Sequence, residues 1–128
     1  MKLLLDTHTL LWAALDDSRL SELARSVLLE RQNSLFLSAA SAWEIVIKYQ
    51  AAKLKLPDAP ERFLRRCLQL LAVETLSVTF EHALRVEALP GHHRDPFDRI
   101  LIAQAQLEGL PILTRDEAFS RYAVETVW

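Results

Sequence analysis

The chain has 128 residues, of which 51% are hydrophobic and 25% charged, with one cysteine, two glycines and a formal net charge of −2. That length suffices for one domain with a real core, so a single domain spanning residues 1–128 is expected. The lone Cys67 excludes an internal disulfide and a multi-cysteine zinc cluster, no apolar run approaches the ~20 residues of a membrane span, and the slight negative charge leaves any nucleic-acid binding to local basic patches.

Residues 2–5 are wholly apolar after Lys2 and read as a buried strand; they are too short for a signal peptide, so a cytoplasmic location is expected. A Leu- and Ala-rich helix follows over 7–15. Ser21 reads as the N-cap of SELARSVLLERQ, whose apolar residues recur at helical spacing. SLFLS, 34–38, is a strand, and AASAWEIVIKYQAA a helix ended near Leu56-Pro57. Pro60 opens ERFLRRCLQLLA, where Cys67 lies one turn from Leu64, Leu68 and Leu71 and reads as a small buried hydrophobe. VETLSV supplies a strand, Phe80–Leu89 a helix, and PGHHRD a loop. PFDRILIAQAQLEG is a strongly patterned helix with Gly109 at its end. PILT, DEAFSRY and VETVW complete the chain as strand, short helix and strand. Strands alternating with helices predict an α/β fold, a mostly parallel sheet covered on both faces.

Four acids occupy comparable places in that plan. Asp6 follows the first strand, Glu44 lies in the first turns of the helix after the second, Asp98 in the first turn of the long helix, and Asp116 follows PILT. Carboxyl ends of strands and amino ends of helices share one side of a parallel sheet, the side where such sheets bind ligands. Each acid also has a purely structural reading: Asp6 and Asp116 as helix caps, Glu44 with Lys48 as an i,i+4 surface pair. Asp95 is expected to cap the long helix, with Pro96 in its first turn. Asp98 shares a face with Leu101, Ile102 and Ala105 and should point inward, where a carboxylate needs a partner. Gathered carboxylates repel one another unless a divalent cation neutralises them, and an all-oxygen set suits Mg²⁺ or Mn²⁺ better than Zn²⁺. Such a site supports phosphodiester hydrolysis. His92 and His93 are neighbours in a loop, point apart, and read as surface groups rather than ligands.

The segments LLLDTHTLLW, SAASAWEIVIKYQAAKLKLP, HRDPFDRILIAQA and ILTRDEAF, nearly end to end, resemble the prokaryotic PIN-domain nucleases, in particular the VapC-type toxins of toxin–antitoxin pairs. The resemblance implies a PIN-like three-layer α/β/α fold, with Asp6, Glu44, Asp98 and Asp116 as the acidic metal-binding and catalytic set and Thr114 as a small hydroxyl residue beside them. It further implies Mg²⁺-dependent ribonuclease activity, with Mn²⁺ as a substitute, a homodimer, and a cognate VapB-type antitoxin whose tail blocks the site. Lys48, one turn from Glu44, is placed to meet an RNA phosphate, and Arg62, Arg65 and Arg66 share a face suited to an RNA backbone or an acidic stretch of antitoxin. The chain departs from the family where Ala52 precedes Lys53-Leu54, a position often held by glycine. Two competing readings remain: a metal-dependent phosphatase, suggested by Asp6-x-x-Thr9 but lacking a second acid where His8 stands, and a catalytically silent PIN-like scaffold that only binds RNA or protein.

Overall fold

A computed structural model describes every residue, Met1–Trp128. Its element order is β1 (Lys2–Leu5), α1 (Thr7–Ala14), α2 (Glu22–Leu29), β2 (Ser34–Ser38), α3 (Ala39–Gln50), α4 (Pro60–Leu70), β3 (Val73–Leu76), α5 (Phe80–Arg85), α6 (Pro96–Glu108), β4 (Ile112–Leu113) and β5 (Thr126–Val127). All five strands are parallel, in the order β3-β2-β1-β4-β5. The chain builds outward from β1 to β3, then returns to add β4 on the other side of β1. This reversal makes the carboxyl ends of β1 and β4 the switch point of the sheet, where a crevice opens.

Alternation along β1 divides the core into two layers. Leu3 and Leu5 face α1, α2, α3 and α4, packing with Leu10, Leu28, Ile45 and Phe63. Leu4 faces the opposite layer and packs with Leu101, Ile102 and Ala105 of α6 and with Phe119. The result is the expected three-layer α/β/α arrangement. Each fully buried leucine in it contributes roughly 1.5–3 kcal/mol of transfer free energy. Cys67 is buried, and burial pushes its thiol above the ordinary range.

Several elements are shorter than their sequence patterns suggest. β3 stops at Leu76 because its only partner strand ends there: Ser38, paired with Leu76, already caps α3 by accepting a hydrogen bond from the Ala40 amide. The predicted helix over 80–89 gives way after Arg85 to a 3-10 turn at Val86–Ala88, because Pro90 forces Leu89 into extended backbone. DEAFSRY forms a 3-10 turn at Glu117–Arg121 rather than an α-helix. α2 ends at Leu29, short of the expected Gln32.

The chain has few glycines and terminates helices with left-handed residues that carry side chains. Asp16, Ala52 and Ala72 have φ of 50°, 57° and 52°, alongside Gly109 at 66°. At the end of α3 the Ala52 amide donates to Tyr49 O at 3.1 Å and the Lys53 amide to Lys48 O at 2.8 Å. These two bonds form a Schellman motif, so the turn that a glycine would favour is built on alanine.

Candidate metal centre

Asp6 leaves β1 in extended backbone and occupies the N-cap position of α1, yet its side chain makes no cap hydrogen bond. Instead Oδ2 accepts a hydrogen bond from Thr114 Oγ1 at 2.8 Å, across the switch point from the end of β4. Thr114 in turn accepts the Asp116 amide at 3.0 Å, so one buried hydroxyl ties Asp6 to the backbone of a second candidate acid. The other oxygen of Asp6, Oδ1, is buried without a hydrogen-bond partner. Asp6 is 4% exposed, and burial raises its carboxyl above the ordinary range, against the Thr114 bond and the attraction of His8.

Glu44 is 2% exposed, and its Oε1 is likewise buried without a partner. Its Oε2 pairs with Lys48 Nζ at 2.5 Å, so the i,i+4 pair exists but one end of it is buried. Burial pulls the Lys48 ammonium down, but the Glu44 bond and the attraction of Glu44, Asp95 and Asp98 carry its pKa above the ordinary value. The turn bearing Glu44 is fixed by a bond from Thr7 Oγ1 to Ser41 Oγ at 2.8 Å, and Thr9 Oγ1 bonds Leu113 O at 2.8 Å. These hydroxyls hold α1, α3 and β4 together behind the acids.

Asp95 caps α6 through the Phe97 amide at 2.8 Å and the Asp98 amide at 3.4 Å. Asp98, one turn inside, has its carboxyl pushed up to about 8, by burial first and then by the charges of Asp6, Asp95, Glu44 and Asp116. That mutual effect places the four acids in one electrostatic neighbourhood. Asp116 does both jobs open to it: Oδ1 caps the following turn at the Ala118 amide, 2.9 Å away, while Oδ2 faces His93.

His93 belongs to this site, contrary to the expectation that it is a surface group. His93, Asp98 and Asp116 each bring one ligand-type atom within 4.8 Å of the others, a compact group that does not include Asp6 or Glu44. Nε2 lies 2.9 Å from Asp98 Oδ2 and 3.6 Å from Asp116 Oδ2, though not aligned as a hydrogen bond to either. Nδ1 accepts the Asp95 amide at 3.2 Å, which in the neutral ring leaves the proton on Nε2. A metal ligand needs a bare nitrogen there. His93 therefore faces the acids as a proton-bearing partner, and the ligand set remains all oxygen.

Its placement is tertiary. The His93 amide donates to Tyr122 Oη at 2.6 Å, and Arg99 donates to the carbonyls of Val86, Leu89, Pro90 and His93, pinning the loop against α6. His92 turns away and meets Tyr122 edge-on.

Two buried carboxylate oxygens without partners, beside two further acids, form a donor set that fits a hard divalent cation. Neither orphan is tolerable in a dry site without one.

Residues 3–125 match the PIN domain family. The ribonuclease VapC16 of Mycobacterium tuberculosis is 36% identical over 58 residues, a stretch covering 45% of this chain and 41% of that protein. Among solved structures, VapBC2 of Rickettsia felis, bound to a DNA fragment from its promoter, superposes with a TM-score of 0.74 at 16% identity over 99% of this chain and 98% of the other. DNA-bound VapBC from Salmonella typhimurium superposes with a TM-score of 0.70 at 23% identity over 99% and 97%. At these identities the likeness is one of fold.

Proposed function

The chain belongs to the PIN domain family, and from that premise we propose that it is a metal-dependent endoribonuclease of the toxin type, hydrolysing RNA phosphodiesters and restrained by a VapB-type antitoxin. The observation that carries this reading is the pair of orphaned buried oxygens, Asp6 Oδ1 and Glu44 Oε1, at the switch point of the sheet. The ribonuclease name of one relative and the toxin–antitoxin assemblies among the fold neighbours support the same direction.

In this reading Asp6, Glu44, Asp98 and Asp116 hold Mg²⁺, or Mn²⁺ in its place. When bound, the cation supplies charge neutralisation and Lewis acidity for phosphoryl chemistry. Thr114 fixes the Asp6 carboxylate so that only Oδ1 remains to be satisfied. Lys48 occupies one oxygen of Glu44 and carries a positive charge at the rim, where an RNA phosphate arrives. His93 holds a proton at Nε2 between Asp98 and Asp116 and eases their repulsion.

A homodimer through α3 and α6 completes the proposal. Trp43 is 63% exposed and packs edge-on against Phe97 at 5.5 Å, beside an apolar cleft lined by Ala40, Val78 and Ile100.

The test is RNA cleavage by the purified protein in Mg²⁺, Mn²⁺ or EDTA, with Asp6→Asn as control. Cleavage is expected only with the cations and is expected to vanish in Asp6→Asn, whose shape is kept while a ligand charge is lost. Activity that co-purifies with the protein and persists in EDTA, or near wild-type turnover in Asp6→Asn, overturns the reading.

A further inference from the structure

A chain with net charge −2 that handles RNA must concentrate its cations somewhere, and the obvious arginine row is spent. Arg62 pairs with Asp58 and Arg65 with Glu61, each on the same turn region of α4. Cations without a carboxylate partner lie instead around Trp12. Two clefts, of about 500 Å³ and 320 Å³, meet at a ridge made by His8, Trp12 and Arg19. The first also contains Asp6, Asp116 and Arg115; the second contains Lys48 and Lys53. In the first cleft the only apolar wall is the indole.

The ridge is built as a stack. Arg19 lies 4.8 Å from the Trp12 ring centre and is held flat by bonds from Nε and Nη2 to the two oxygens of Asp17, at 3.0 and 2.8 Å. Arg115 approaches the same ring at 6.0 Å, and Arg115 and Lys53 enter no ion pair. His8 tilts against Trp12 at 5.8 Å, and Trp128 supports the indole edge-on at the same distance. Lys53 is presented by the left-handed turn at Ala52. Flat aromatic and guanidinium surfaces between free cations are what unpaired bases and their phosphates recognise.

We propose that these two adjoining clefts form a single-stranded RNA track, in which a base beside the cleavage point stacks on the Trp12–Arg19 pile and the flanking phosphates lie on Arg115 and Lys53. The track rests on the nuclease reading above and adds to it the form of the substrate: an unpaired strand, since a base inside a duplex has no face to offer the indole.

The test uses a short fluorescein-labelled single-stranded RNA and its duplex, read by anisotropy in Ca²⁺, together with cleavage kinetics in Mg²⁺. Wild type is expected to prefer the single strand. Arg115→Gln and Lys53→Gln, both at exposed positions, are expected to weaken binding and each to flatten the salt dependence by a slope of about 0.7, the loss of one single-strand phosphate contact. Trp12→Leu is expected to weaken single-strand binding about five- to hundredfold, while Trp12→Phe keeps most of it; melting curves of both variants confirm that the fold survives. Unchanged anisotropy and KM in Arg115→Gln overturn the track whatever the Trp12 variants do. Equal losses for duplex and single strand overturn the stacking, and a loss seen only toward an acidic polypeptide such as polyglutamate assigns the cations to a protein partner and overturns it too. Wild type that cleaves no RNA sinks the nuclease reading, while anisotropy still reports on the track.

Discussion

Asp98 shows how one side chain links burial, charge and pH. Its carboxyl sits at about 8 in the metal-free protein, against an ordinary 3.8. Between these values the folded state keeps a proton that the unfolded chain has lost, so stability present at acid pH is expected to drain away as pH rises from about 4 to 8 and to level off above. Denaturant unfolding in EDTA should register a loss of about 2–4 kcal/mol across that window, and Asp98→Asn should flatten it. A wild-type curve that rises over the same range refutes the shift. His93 tests the ligand set from the other side. His93→Gln is expected to weaken Mn²⁺ binding, measured by calorimetry, by about 10–100-fold, the usual effect of losing a group that braces a ligand. Complete loss of the metal would instead make His93 a ligand in its own right.

At the scale of elements, the ends of helices carry strain that the sequence could have avoided. Ala52 and Ala72 hold φ near +55°, where a Cβ meets the following carbonyl at a cost of roughly 1–2 kcal/mol. Ala52→Gly relieves that clash but makes the unfolded chain looser, so a net gain of roughly 0.5–1 kcal/mol is expected, visible as a higher Tm. A fall in Tm would mean that the alanine methyl packs usefully and that the Schellman turn tolerates it without strain. Since this turn presents Lys53, the same variant also reports on the RNA track.

The whole molecule exposes more large apolar groups than isolation explains. Trp43 and Phe97 meet beside Ile100, with Ile47 and Tyr49 exposed nearby on α3. Faces of this kind, spread along two helices, are commonly buried against a second copy in a self-complementary twofold contact. Light scattering at micromolar concentration is expected to give about twice 14.6 kDa. Trp43→Glu should return the mass to that of one chain with little change in Tm at high dilution. A wild-type monomer at those concentrations removes the dimer.

Periodicity and local chemistry made most of the fold legible in the sequence. The run before Asp6 is apolar on both faces because β1 is the central strand, Ser21 and Asp95 are caps because their short side chains reach the next amides, and the patterning of α6 follows from packing on Leu4. The four acids and Thr114 could be named from position alone, since strand ends and helix starts in a parallel sheet share one side. What remained undecided was the use each acid is put to. Asp6 looks like a helix cap by sequence, and only the approach of Thr114, 108 positions away, shows its carboxylate turned from the helix to the site. His93 lies in a loop with no periodic signal, and its ring enters the acidic group because Arg99 and Tyr122 fix the loop. The shortening of β3 and of the helix after Phe80 follows from partners and from Pro90. Local sequence determines which backbone a segment prefers and which face it buries; the direction of a polar side chain at a strand end depends on hydrogen bonds to residues far along the chain, and those exist only once the sheet has closed.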